Sequence, residues 1–253
     1  MKTIKADHLN VELHASRQSM GQAASIAAAA HLRETLARKG EARIIVASAP
    51  SQDELIAGLV SAPDIDWNRI TIFHMDEYVG LPASHPANFR AYQQQHLLAH
   101  IRPAAFHGIR GEASDPESEC TRYAALLQAG PIDLLCMGIG ENGHIAFNDP
   151  PVADFNDPKK IKVVELDRAC REQQVNDGCF AHFDDVPTHA FTLTCPTLMA
   201  AERAVCVVPG KLKAQAIASA LKGSVAESCP ASVLRRHTGA TLYLDKESAA
   251  LLT

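Results

Sequence analysis

The chain has 253 residues, of which 47% are hydrophobic and 21% charged, and it carries a net charge of -5 at pH 7. This apolar content supplies a substantial core and excludes disordered and fibrous classes. The acidic balance, with Lys and Arg scattered along the chain, gives no footprint for nucleic acid as a partner.

Met1 to His14 lacks the apolar stretch of a signal peptide, and the alanine-rich run after it lies in a polar helix too short to span a bilayer. A soluble cytoplasmic protein without a membrane partner is expected. Apolar residues at helical spacing from Arg17 to Lys39, stopped by Gly40, predict a long first helix. Arg43 to Ala47 reads as a strand. Ser51-Gln52-Asp53-Glu54 matches a capping box and predicts a second helix running to about Val60. Arg69 to Met75 is the next strand, and a loop with Gly80, Pro82 and Pro86 leads into a helix from Ala87 to His100. Ser114-Asp115-Pro116 opens another helix that ends at Gly130. Ile132 to Met137, bounded by Pro131 and Gly138, is too short for a helix and reads as a buried parallel strand.

The irregular stretch from Pro150 to Lys160 is long for a connection and reads either as a mobile lid beside the site or as an ordinary surface loop. Strand-like segments then follow at Lys162 to Leu166, Ala190 to Thr194, Ala204 to Val208 and Thr241 to Leu244. They alternate with helical stretches at Lys211 to Leu221 and Pro230 to Arg236. The repeated alternation predicts an α/β fold, a mainly parallel sheet with helices on both faces. With no repeat, linker or shift of composition, one domain over residues 1–253 is expected.

Seven cysteines, an odd number without a CxxC pair, lie mostly in apolar or helical segments, so reduced buried thiols are expected rather than a disulfide framework. There is no HExxH and no paired-cysteine spacing for zinc. Cys179, His182 and His189 read as packed or solvated side chains, and no metal is expected. GxSxG is absent, and no cysteine sits with a histidine in a nucleophile motif. Gly138-Ile139-Gly140-Glu141-Asn142-Gly143 has GxGxxG spacing, but no helix-opening pattern follows it, so a dinucleotide site is not expected.

Two polar clusters carry the chemistry. The apolar run Ile132 to Met137 breaks into glycines at 138, 140 and 143, a loop able to wrap a small molecule while His144 and Asp149 reach inward. The segment Phe73-His74-Met75-Asp76-Glu77-Tyr78-Val79-Gly80-Leu81 ends a second strand in Asp76 and Glu77. In a parallel sheet the carboxyl ends of both strands lie on one edge, so Asp76 and the His144–Asp149 pair are expected to face one crevice. A carboxylate beside an oriented imidazole suits proton transfer near neutrality.

These two segments, the second continuing as His144-Ile145-Ala146-Phe147-Asn148-Asp149-Pro150, resemble the signatures of the glucosamine-6-phosphate deaminase (isomerase) family. A later segment, Val207-Val208-Pro209-Gly210-Lys211-Leu212-Lys213-Ala214, is similar to that family's late strand and lysine turn. The resemblance implies a Rossmann-like α/β fold, often oligomeric, and aldose to ketose isomerisation of an amino sugar phosphate with release of ammonia and no cofactor. Carried over by position, it makes Asp76 the base between sugar carbons 2 and 1. His144 assists ring opening, with Asp149 and Asn142 in its relay. The expected substrate contacts are Ser48, Ser51, Gln52, Glu77, Gly140, Gln174 and Lys213, with Lys211 a competing match for Lys213.

The chain departs from the family in three places. Asn142 stands where the family has an aspartate, and an amide cannot relay a proton. Asp149 is one methylene shorter than the family glutamate. At the phosphate end, Ser48-Ala49-Pro50-Ser51-Gln52 replaces a glycine-rich loop, Pro50 offers no N–H donor, and Gln174 takes the place of an arginine. Weaker or different phosphate recognition is therefore expected, although the helix after Ser51 offers an anion-favouring end. The alternatives are a 6-phosphogluconolactonase-like hydrolase and a non-catalytic sugar-sensing domain.

Overall fold

The computed structural model describes residues 2–252. A hairpin that the sequence patterning did not suggest opens the chain, with β1 (Lys2–Ala6) antiparallel to β2 (Leu9–Leu13). There follow α1 (Arg17–Lys39), β3 (Ala42–Val46), α2 (Asp53–Val60), β4 (Ile70–Phe73), β5 (Asp76–Tyr78), α3 (Phe89–Gln93), β6 (Ala105–His107), α4 (Pro116–Gln128) and β7 (Leu134–Met137). The remainder is β8 (Ile161–Glu165), α5 (Arg168–Asn176), β9 (His189–Leu193), α6 (Cys195–Met199), β10 (Arg203–Val208), α7 (Ala214–Lys222) and β11 (Ala240–Leu244).

Eight strands form the main sheet in the order β1-β2-β11-β10-β7-β3-β4-β6, parallel except for the hairpin. Alternation across the central strands explains why helices cover both faces. Leu134 and Cys136 point into the layer with α1 and α2, where Met20, Leu32, Leu55 and Leu59 are buried. Leu135 and Met137 point into the opposite layer with Tyr123, Leu198 and Ile217. A strand buried on both sides reads as an unbroken apolar run, which is why it shows no period-2 pattern in the sequence. From β3 the chain moves outward to β4 and β6, then returns to place β7 on the other side of β3. The loops after β3 and β7 consequently diverge and open a crevice, the usual ligand position in such sheets.

The sheet is not the whole of the architecture. A second sheet, β5-β9-β8, is antiparallel throughout and packs around Tyr78, Phe89, Phe147 and Phe180. The strand expected to run from Arg69 to Met75 ends at Phe73, because the backbone of His74 is taken by a side chain. Its N–H donates to the Tyr123 hydroxyl at 3.1 Å, and that hydroxyl donates to the His74 carbonyl at 2.8 Å. Asp76 thus begins a new strand, paired with Thr192, rather than ending the old one.

The capping box expected at Ser51 and Glu54 does not form. Pro50 starts a 3₁₀ turn, Pro50–Gln52, and Gln52 precedes α2 without a side-chain cap. The Glu54 carboxylate accepts instead from Arg17 Nε at 2.7 Å. The reciprocal box lies at the start of α1, between Ser16 and Ser19. The long helix expected from Ala87 to His100 is the short α3 continued by a π-helical turn, Gln94–Leu98, and Pro230–Arg236 is a 3₁₀ helix. The α5 helix, absent from the sequence reading, carries Gln173 and Gln174. Residues 150–160 form neither helix nor strand, and Lys162 ties them down through the Val152 carbonyl at 2.7 Å and Asp157 at 2.9 Å. No described helix is long and apolar enough to cross a membrane.

Candidate active site

The crevice is lined by residues from several separated segments of the chain. The loop after β3 contributes Ser48, Ser51 and Gln52, and the first residue of β5 contributes Asp76. The loop after β7 supplies Gly138, Gly140 and His144, α5 supplies Gln173 and Gln174, and the turn after β10 supplies Lys213. Most of the expected site residues therefore meet at one cleft, and Lys213 rather than the exposed Lys211 reaches it.

Three do not. Glu77 is fully buried and faces away, accepting from the backbone N–H groups of Tyr78, Phe89 and Arg90 at 3.0–3.1 Å, so it anchors the start of α3. Asn142 and Asp149 lie behind the His144 ring. Residues 150–160, read as a lid or a surface loop, contribute nothing to the lining.

Asp76 is 8% exposed, and no protein donor among the described residues binds its carboxylate. Burial, and then the neighbouring Glu77, push its pKa well above the usual carboxylate range. Burial likewise lifts Glu77 to about 7, against the pull of its three N–H donors. A base with raised proton affinity is suited to taking a proton from carbon, provided substrate binding leaves it ionised.

The histidine is held from three sides. Its ring lies over Gly140, where an added Cβ would sit 2.2–2.5 Å from three imidazole atoms, so only glycine admits the ring. Its backbone N–H donates to Asn142 Oδ1 at 3.0 Å. Its Nδ1 is 2.9 Å from Asp149 Oδ1, an ion-pair distance, although the ring N–H is angled away from a regular hydrogen bond.

Asp149 has no exposure and is surrounded by donors. The Asn142 amide donates to Oδ1 at 2.9 Å and the Asp167 N–H to Oδ2 at 3.3 Å. Burial pushes its pKa up, but His144, Asn142 and Asp167 outweigh that and hold it below the usual range. The carboxylate therefore stays ionised and orients the imidazole.

The donor atoms of His144, Asp149 and Cys170 lie within 4.8 Å of one another, the group among the described residues able to gather a cation. Burial and the adjacent Asp149 keep the Cys170 thiol protonated, with its pKa well raised. The Asp149 oxygens in this group already accept from Asn142 and Asp167.

At the other end of the cleft, Lys213 is 7% exposed and burial lowers its pKa, partly offset by Asp177 and Glu141. Arg17 at the start of α1 also lines this end. Sequence reasoning missed Arg17 because it lies 31 residues before Ser48, in a helix whose spacing explains it as surface. Gln174, aligned with an arginine, accepts from the Tyr78 hydroxyl at 2.8 Å.

A doubly wound sheet whose switch-point crevice holds a buried carboxylate and an oriented imidazole defines a class of α/β enzymes equipped for proton transfer. The particular family is settled by comparison: residues 15–243 match the glucosamine-6-phosphate isomerases/6-phosphogluconolactonase family, and the chain belongs to it. Glucosamine-6-phosphate deaminase of Bacillus thuringiensis (strain Al Hakam) is 41% identical over 187 residues, covering 74% of this chain and 70% of that one. The solved structure of a monomeric glucosamine-6-phosphate deaminase superposes with a TM-score of 0.87 at 30% identity, covering 95% of this chain and 99% of the other. A 6-phosphogluconolactonase from Shewanella baltica OS155 shares the fold, with a TM-score of 0.75 at 17% identity over 93% of this chain and 97% of that one.

Proposed function

We propose that the protein is an amino sugar phosphate isomerase and deaminase of the glucosamine-6-phosphate type, working by general acid and base catalysis without a cofactor. The observation that carries this reading is the presence of Asp76 and the Asp149-oriented His144 in one cleft.

The chemistry follows from what such a site can do. The proton on carbon 2 of an aldose becomes acidic only when carbon 1 is an open-chain carbonyl. His144, held by Asp149, moves the proton at the ring oxygen and opens the hemiacetal. Asp76 then takes the proton from carbon 2 while the carbon 1 oxygen gains one, giving an enolamine, and returns its proton to carbon 1 as the nitrogen gives one up, leaving an imine at carbon 2. Water adds to that imine, ammonia leaves, and a ketose remains. Asn142 contributes by donating to Asp149, which fixes the carboxylate but relays no proton. Gln174, Lys213, Ser48, Ser51 and Gln52 contact the substrate along the cleft. Seven free thiols fit a reducing compartment, the cytoplasm.

The test is to measure ammonia and ketose formation from glucosamine and galactosamine, each with and without a 6-phosphate, beside hydrolysis of 6-phosphogluconolactone. Ammonia and ketose in equal amounts support the reading. Lactone hydrolysis alone, or saturable binding with no turnover, overturns it.

A further inference from the structure

The loss of the glycine-rich loop and the glutamine at position 174 predict poor phosphate binding, yet the cleft end beneath that loop is rich in donors. Ser48 Oγ accepts from the buried Gln93 amide at 2.9 Å, and Ser51 Oγ accepts from the buried Gln52 amide at 3.1 Å. With these accepting roles filled by amides, each hydroxyl keeps its own proton to donate into the cleft. Gly138 closes the floor, since an added Cβ would lie 3.1 Å from the Gln52 amide and 3.3 Å from Ser51 Oγ.

Two cations complete this end. Lys213 is almost fully buried, and no carboxylate lies within ion-pair distance of it among the described residues. Burying an ammonium without a partner is costly, and an anionic ligand removes that cost. Arg17 reaches the same wall from α1. Its Nε donates to Glu54 at 2.7 Å and its Nη2 donates to the Pro50 carbonyl, which locks the guanidinium plane against the loop. Nη1 has no acceptor among the described residues. An arginine held by its back edge, with donors left on the front, is preorganised for an oxyanion.

We propose that Arg17 completes the phosphate end of the cleft beside Lys213 and the Ser48 and Ser51 hydroxyls, and that it decides the preference for phosphorylated over unphosphorylated substrate. This deepens the functional reading above and rests on it only for the identity of the sugar. The site supplies from α1 the charge-assisted contact that Gln174 cannot make. Glu54 is a positioning residue, since it sets the guanidinium plane without facing the cleft.

Two measurements separate the subsite from the reaction. The first follows thermal stabilisation of the intact protein by inorganic phosphate alone, at constant ionic strength. The wild type is expected to show a saturable shift that weakens about 10- to 100-fold in apparent affinity in Arg17→Ala, the loss of one hydrogen bond to a charged group. Arg17→Lys recovers part of it. The second compares kcat/KM for amino sugars with and without the 6-phosphate. Arg17→Ala is expected to collapse their ratio by a similar factor, mainly through KM of the phosphorylated sugar. No phosphate-dependent shift in the folded wild type, or a shift and a ratio that Arg17→Ala leaves intact, overturns the proposal. A phosphate shift that depends on Arg17, in a protein that turns over no amino sugar, keeps the subsite and rejects the amino sugar reading instead.

Discussion

Asn142 and Asp149 are joined by an amide-to-carboxylate hydrogen bond of 2.9 Å behind the His144 ring, where an acid pair would be expected from the family pattern. The amide changes what the relay can do. It fixes Asp149 and helps keep it ionised, but it holds no exchangeable charge of its own.

Asn142→Asp replaces that donor with a second carboxylate at hydrogen-bond distance. Two such groups cannot both ionise at low cost, so one proton is retained and the pair titrates at higher pH. The acid limb of the kcat profile is expected to move up by about 1–2 pH units. Superimposable profiles for wild type and variant would show that Asp149 does not govern the titration.

Asp76→Asn removes the proposed base at nearly constant volume. Turnover is expected to fall about 10²- to 10⁴-fold, the usual worth of a positioned general base. Burial already disfavours the charged form of Asp76, so thermal unfolding should occur at the wild-type temperature or above it. Near-normal ammonia release by a folded variant would remove Asp76 from the mechanism.

Gly140→Ala tests the seat of the imidazole. The new methyl would lie 2.2–2.5 Å from the His144 ring, and the ring must shift. A displacement on the order of 1 Å costs about 10²-fold in kcat. The fall is expected in kcat more than in binding of inorganic phosphate at the far end of the cleft; a variant with wild-type kcat would refute the packing argument.

His74 makes an acid-stability prediction. It is fully buried, its Nε2 accepts from the Ile109 N–H at 2.7 Å, and burial, then Arg90, lower its pKa to about 3 from an ordinary value of 6.5. The native state holds it neutral while the unfolded chain takes up a proton. Its contribution is therefore present above pH 6.5 and lost as pH falls towards 3, by about 1.4 kcal/mol per unit across that window. His74→Gln keeps an acceptor for Ile109 but cannot titrate, so urea unfolding between pH 7 and 4 should show a shallower acid decline. An unchanged slope would assign the decline to other groups.

Much of this arrangement is legible in the residues. The apolar run ending at Met137 and the glycines after it mark a buried strand and a loop, because a strand covered on both faces needs continuous apolar residues and a close-packed ring needs glycine beneath it. The long α1 and its glycine stop are equally local features. Elements held by distant partners are not legible in this way. The hairpin of β1 and β2 depends on β11 for its pairing, and β5 exists because Thr192 and Phe191 of β9 lie beside Asp76 and Glu77.

The family, the class of fold and the residues able to move protons are readable from the residues alone, since these rest on side-chain chemistry and short-range spacing. Which of them share a space depends on the folded chain. It turned Glu77 away into an anchor for α3, chose Lys213 over Lys211, and set Asn142 and Asp149 behind His144. It also brought Arg17 from the first helix to the cleft. The physical reason is that burial and contact distances are set by packing between segments far apart in the chain, which no local pattern encodes.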